Sequence, residues 1–429
     1  MGTSAAGFDV QGVNSGRIAQ RLEELARFGR SEASGGGWFR GFGTEAELRA
    51  REWLRDLWHK ALGLEVRVDP AANLWGTLPG RETLPALVLG SHHDTVPNGG
   101  QFDGALGLVL ATEVVQRLVE VGCRLRHPVQ VVSFTAEEPN PFQVSTLGSR
   151  AAAGVLRGVD VRGAVHIRTG VSLRDALQAA GGDLDRLNRA RLDPASVSAY
   201  LECHIEQGKR LWSRGIPLGV VTGITGIYRE EVVVEGEANH AGTTLMADRR
   251  DALCAAAELV LGFEEAVVRG GGEEIVGTIG QLEVKPNAPN IVPGCVSLIL
   301  EVRSPDREGT AKVLTAFDEC VRRVEAGRRV QVRRVRLLDQ EASRMDPAVI
   351  GALERAAAGL GEPYMLLSSM AGHDATHMAR ITRAGMLFVP SVGGKSHCPE
   401  EESRMEDIAK AGDALLRALL ILDEELDAR

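Results

Sequence analysis

No CxxC pair occurs in the chain, and its six cysteines (Cys123, Cys203, Cys254, Cys295, Cys320 and Cys398) lie scattered. In a chain of this size they read as reduced thiols of a cytoplasmic protein rather than a disulfide framework. No apolar run reaches the roughly 18 residues a membrane-spanning helix needs. The opening Met1-Gly2-Thr3-Ser4-Ala5-Ala6 lacks a charged leader before an apolar core, which argues against a signal peptide, and has no Ser or Thr at the sixth position for a myristoylation signal. Blocks of like charge are missing too. With a formal net charge of −9 and no basic face, neither nucleic acid nor an anionic membrane is an expected partner. Internal repeats and low-complexity tracts are also absent.

What remains is an ordinary globular composition, 44% hydrophobic and 25% charged, over 429 residues, enough for two or three domains. Residues 16–28 and 44–62 have helical periodicity, with Leu22, Leu25, Leu48, Leu54, Leu57 and Leu62 facing inward. Short apolar runs at 84–90, 127–134 and 199–204 then alternate with polar loops and the apolar stretch 105–121. That alternation is an α/β signature, with active groups expected at the C-terminal ends of the strands. From 214 to 330 the texture changes: strands at 228–235, 277–284 and 295–303, with helices at 249–268 and 309–326. This suggests a ferredoxin-like α+β domain. The first texture resumes with a β-rich 329–338 and a helix at 347–358. The reading is a catalytic domain, 1–213 and 331–429, split by an insertion at 214–330.

Four segments carry candidate chemistry. In Gly90-Ser91-His92-His93-Asp94, a His two residues before an Asp suits a metal ligand, with Asp94 accepting the free imidazole N–H of His92. Asp103, in the Gly-rich loop that follows, can offer one oxygen to each of two metals. Alone, His92 and Asp94 read equally well as a surface turn. The adjacent acids Glu137 and Glu138 stand at another strand end. Like charges in a cleft repel, and a cation gives them a reason to be there. One acid would be a ligand while the other takes a proton from water. His204 and His397 complete a set of three His, one Asp and one Glu. Such a mixed N/O set suits zinc, with manganese, cobalt or nickel as alternatives.

The segments GSHHDTVPNGGQFDGALG, the Glu-Glu pair followed by LGSRAAAG, YLECHIEQG, GITGIYREEVVVEGEANHAGTT, NAPNIVP, RSPD, AGHDAT and GKSHCPEE occur in that order. Together they resemble the amidase branch of the M20 metallopeptidase family: N-carbamoyl-L-amino-acid hydrolases, allantoate amidohydrolases and ureidoglycolate amidohydrolases. The resemblance spans roughly residues 16 to 425. It implies a zinc-aminopeptidase-like α/β catalytic domain with an inserted ferredoxin-like dimerisation (lid) domain. It also implies two divalent metal ions, a small carboxylate-bearing substrate, and a homodimer that contributes groups across its interface.

Carried over by position, Asp103 bridges the metals, His92 and His204 complete one site, and Glu138 and His397 complete the other. Glu137 is the general base. His240 stabilises the oxyanion, while Asn290 and Arg303 clamp the substrate carboxylate. Gln207 and His373 are further substrate contacts. The Pro139-Asn140-Pro141 stretch departs from the family's Gly-Ser-Arg. His93 replaces an aliphatic residue, Leu245 a proline, and Cys398 adjoins His397. Without the surrounding motifs, Arg303 would read as a surface partner of Asp306.

Overall fold

The computed structural model describes residues 12–30 and 36–427. The strands in chain order begin with β1 (Glu65–Val68), β2 (Leu74–Leu78), β3 (Ala86–His92), β4 (Val129–Phe134), β5 (Val197–Ile205) and β6 (Leu218–Ile224). Next come β7 (Gly226–Glu235), β8 (Asn239–His240), β9 (Val276–Lys285), β10 (Ile291–Val292), β11 (Cys295–Ser304) and β12 (Gln331–Gln340). The last three are β13 (Ser343–Arg344), β14 (Tyr364–Ser369) and β15 (Arg383–Val389).

Two compact units result. The first comprises Met1–Thr222, Arg344–Leu367 and Gly372–Arg429; the second comprises Gly223–Ser343 and Ser368–Ala371. The first is built on a nine-stranded sheet ordered β1-β2-β4-β3-β5-β15-β6-β13, with β14 also on β6. The sheet is mixed: β3 runs parallel to β4 and β5, and β5 parallel to β15, while the outer pairs β1–β2, β2–β4 and β6–β15 are antiparallel. Parallel central strands are covered on both faces and therefore read as continuous apolar runs. β3 and β5 are buried along their whole lengths. The helix Ala105–Glu120, apolar on nearly every side, and the final helix Met405–Glu425 close the core through Leu106, Val109, Leu110, Leu415 and Leu419 against Leu87 and Leu89. Because β3, β4, β5 and β15 are mutually parallel, their C-terminal ends lie on one edge of the sheet.

The second unit holds a four-stranded antiparallel sheet, β12-β7-β11-β9, and a two-stranded ribbon, β8 with β10. Its main elements follow one another as β-α-β-β-α-β, with helices Ala252–Gly271 and Arg307–Arg328 over one face. Val232, Val234, Leu298, Leu300, Phe263 and Phe317 form its core. The texture boundaries at 214 and 330 shift at both ends. Leu218–Ile224 completes the large sheet beside β15. Gln331–Gln340, expected to return to the first texture, instead pairs with β7 along its length. Its alternating pattern is that of a half-exposed antiparallel strand, which texture alone did not separate from the segment that follows. No helix among the described residues is long and apolar enough to cross a membrane.

Candidate metal centre

The shared sheet edge gathers the predicted ligands. His92 closes β3, Glu137 and Glu138 follow β4, His204 is next to last in β5, and His397 lies beyond β15. Asp103 stands at their centre, just before the helix Ala105–Glu120. Its Oδ1 is 3.5 Å from His92 Nε2 and 3.3 Å from His204 Nε2, whereas its Oδ2 is 3.3 Å from His397 Nε2. Glu138 Oε1 lies 3.4 Å from the same His397 nitrogen. Two donor groups follow, His92–Asp103–His204 and Asp103–Glu138–His397. In each, the ligand atoms fall within 4.8 Å of one another, and Asp103 belongs to both.

The backbone fixes the imidazoles. His92 Nδ1 faces the carbonyl oxygen of Asp94 at 3.1 Å, and His204 Nδ1 faces that of Ile205 at 2.9 Å. A carbonyl only accepts, so each Nδ1 carries the proton and each Nε2 keeps a lone pair that a cation held by Asp103 would take. The Asp94 carboxylate sits 3.6 Å from the same His92 Nδ1 and also accepts the backbone N–H groups of Glu137 (3.2 Å) and Glu138 (3.1 Å). These bonds help hold Ala136 at φ 52°, a left-handed conformation that costs a non-glycine residue about 1–3 kcal/mol. Gly104, at φ 64°, allows the Asp103 loop to pass over His92: a Cβ there would lie 2.3 Å from the imidazole.

The electrostatics are those of a site built around positive charge. Burial pushes the Glu137 carboxyl well above the usual range, and repulsion from Glu138 and Asp374 adds to this. Burial and the neighbouring Asp103 carry Glu138 up to about 8. Glu138 Oε1 is buried without a hydrogen-bond partner, an arrangement that costs free energy until something electropositive meets it. Lone pairs of His92, His204 and His397, with the carboxylates of Asp103 and Glu138, are the hard and borderline donors that divalent zinc, manganese or cobalt accept. The residues present therefore fit a pair of cations.

The sequence profile described as "Peptidase family M20/M25/M40" matches residues 88–421. The chain belongs to peptidase family M20/M25/M40. It is 39% identical over 406 residues to an N-carbamoyl-L-amino acid amidohydrolase of Geobacillus stearothermophilus, covering 94% of this chain and 97% of the relative. A ureidoglycolate hydrolase of Arabidopsis thaliana is 35% identical over 403 residues, covering 92% of this chain and 84% of that one. The crystal structure of a hydantoinase/carbamoylase family amidase from Burkholderia ambifaria superposes with a TM-score of 0.88 at 32% identity, covering 98% of this chain and all of the other. This M20 chain is accordingly an enzyme, a hydrolase.

Three of the residues expected to bind substrate lie in the second unit. His240 and Asn290 are neighbours there: His240 pairs with Ile291 across the β8–β10 ribbon, and Ala241 N–H donates to the Asn290 carbonyl (2.9 Å). Both are exposed. Arg303, on β11, bonds Glu301 (2.7 Å) and the carbonyl of Met370 (2.7 Å). Asp306, its expected surface partner, instead accepts from Gly309 N–H (2.7 Å) to cap the helix Arg307–Arg328. In the first unit, Gln207 uses its amide N–H on Asp103 Oδ2 (2.7 Å), which braces a ligand. His373 packs its ring edge-on against His204, with centroids 4.5 Å apart.

The departures also find their places. His93 is fully buried, between Ser133 Oγ (2.6 Å) and Glu47 Oε1 (3.0 Å). Asn140 folds its loop by donating to the carbonyls of Glu138 and Val144. Leu245 is 71% exposed, and Cys398 is half-buried rather than sequestered. Sequence reasoning passed over Glu202, whose carboxylate accepts from Ser91 Oγ, Tyr200 Oη and Ala375 N–H at 2.9–3.1 Å. A charged residue inside the apolar run of β5 was the available signal.

Proposed function

We propose that this hydrolase is a dinuclear amidohydrolase that cleaves the C–N bond of a small carboxylate-bearing carbamoyl or ureido compound, an N-carbamoyl-L-amino acid first among them. One observation carries the reading: the two oxygens of Asp103 face two different ligand sets, His92 with His204 and His397 with Glu138. Those five residues would hold two divalent ions, zinc before manganese, cobalt or nickel. Bound there, the ions supply Lewis acidity toward the scissile carbonyl and bring the pKa of water toward neutrality.

The chain's own groups do the rest. Glu137 is buried, stands 3.8 Å from His92 Nε2, and has its backbone fixed by Asp94. In this reading it takes a proton from the attacking water and delivers it to the leaving nitrogen. His240 offers a donor to the oxyanion, and Asn290 and Arg303 bind the substrate carboxylate, since a guanidinium matches a carboxylate in two bonds. The names of the relatives support a ureido acid, and the ureidoglycolate hydrolase keeps ureidoglycolate as the second reading. For a carbamoyl substrate the products are the amino acid, ammonia and carbon dioxide. A homodimer formed through the second unit is part of the same reading. It is supported by the exposed apolar residues Leu253, Leu261 and Val268 on one helix and Val276 and Leu282 on the edge strand β9.

The test is ammonia release by metal-reconstituted enzyme against N-carbamoyl-L- and D-amino acids, allantoate, ureidoglycolate and N-acyl amino acids. We expect turnover of the N-carbamoyl-L class, reduced at least about a hundredfold in Glu137→Gln. Silence across the ureido acids, with two metals bound, would sink the substrate assignment.

A further inference from the structure

We infer that Glu401 is a positioning residue that sets the separation of Asp103 and His397, and through it the capacity of the site for a second metal ion. The inference rests on the dinuclear reading above. Glu401 is 3% exposed and lies in the segment after β15. Its Oε1 accepts the backbone N–H groups of Phe102 (2.9 Å) and Asp103 (3.0 Å). Its Oε2 accepts the Ser396 hydroxyl (2.9 Å) and the backbone N–H of His397 (3.3 Å). A single carboxylate therefore joins the two loops that carry the shared ligand and the outlying imidazole.

Several features show that this contact is built rather than incidental. Gly100 leaves the space it fills: a Cβ there would lie 2.1 Å from Glu401 Oε1. His397 is held at φ 56°, a left-handed conformation, and its N–H is one of those that Glu401 accepts. The Ser396 hydroxyl has one proton to share between Glu401 Oε2 and Asp103 Oδ2, which is 3.1 Å away. That keeps Asp103 Oδ2 turned toward His397 rather than away from it. Glu401 itself is not within reach of the donor groups as a ligand set: the two clusters that could hold an ion contain Asp103, Glu138 and His397, or His92, Asp103 and His204.

A carboxylate is required because all four partners donate. Glutamine in its place has one accepting oxygen, and its amide would point N–H groups at N–H groups. We expect Glu401→Gln to bind one equivalent of cobalt(II) or zinc per chain where the wild type binds two. The visible absorption of the cobalt(II) protein should fall and change shape, with far-UV circular dichroism unchanged. Gly100→Ala should do the same by displacing the carboxylate while leaving its charge and every donor in place, and it answers the question if Glu401→Gln does not fold. Two equivalents with the wild-type cobalt spectrum in these variants would overturn the assignment, as would a lowered melting temperature with both metals retained. A wild type that binds no metal would instead sink the dinuclear reading itself.

Discussion

At the scale of single residues, the site is set by what each side chain must accept or donate. Gly104 gives the sharpest prediction. A methyl group at this position meets the His92 ring at 2.3–2.5 Å, on a backbone already at φ 64°. Gly104→Ala should weaken metal binding about 10–100-fold, the range seen when groups that orient a ligand are lost, on top of a cost of about 1–3 kcal/mol to the metal-free chain from its left-handed backbone. Chelator competition measures it, and unchanged affinity would show that the loop can relax. Among the candidate ligands, His92, Glu138 and His204 were legible because each stands at or just beyond the end of an apolar run, where a polar residue is conspicuous, whereas Asp103 and His397 lie in Gly-containing loops. Glu401, Glu202 and the bonds of Asp94 to the Glu137 and Glu138 backbone were not legible. Their significance lies in which N–H groups they meet, and two of Glu401's four donors come from a loop almost three hundred residues away.

At the scale of elements, the apolar runs of β3, β4 and β5 announced a covered parallel sheet, and its C-terminal edge gathered the ligands as such sheets do. The antiparallel outer strands gave no comparable signal. β12 was assigned to the wrong sheet because pairing partners are not written in local periodicity. The second unit offers a prediction of its own. β9 is an edge strand with Val276 and Leu282 each 42% exposed, beside a helix carrying Leu261 at 66%. Open edges and contiguous apolar patches invite pairing. Leu261→Asp should convert a dimer to a monomer in sedimentation velocity without loss of circular dichroism. A wild type that sediments as a monomer would refute the dimer.

At the scale of the whole molecule, stability depends on ties between distant parts of the chain. Asp423, near the end of the last helix, accepts the backbone N–H of Arg126 (3.0 Å) and both the backbone N–H (2.9 Å) and ring Nδ1 (3.0 Å) of His127. Burial pushes its carboxyl up, but these bonds outweigh burial and hold it below its ordinary 3.8. The contribution is therefore complete above about pH 4 and is lost as pH falls through the lower folded value. Asp423→Asn should cost about 1.5–3 kcal/mol near neutrality, and the gap to wild type should close on acidification. Urea denaturation at stepped pH reads this out; a gap that stays constant down to pH 2 would contradict it.

The pairing of β5 with β15 joins Val197–Ile205 to Arg383–Val389, and nearly two hundred residues lie between them. A ribosome adding about 5–20 residues per second needs roughly ten seconds or more to supply the partner. Throughout that interval the nascent chain holds a largely apolar strand, buried along its whole length in the finished fold, with an open edge, the kind of surface that aggregates or recruits a chaperone. The candidate two-ion site cannot be completed earlier, because His397 and Glu401 emerge only after β15. Maturation of this enzyme is thus tied to the completion of its own synthesis, and any pause in translation of the second unit lengthens the time at risk.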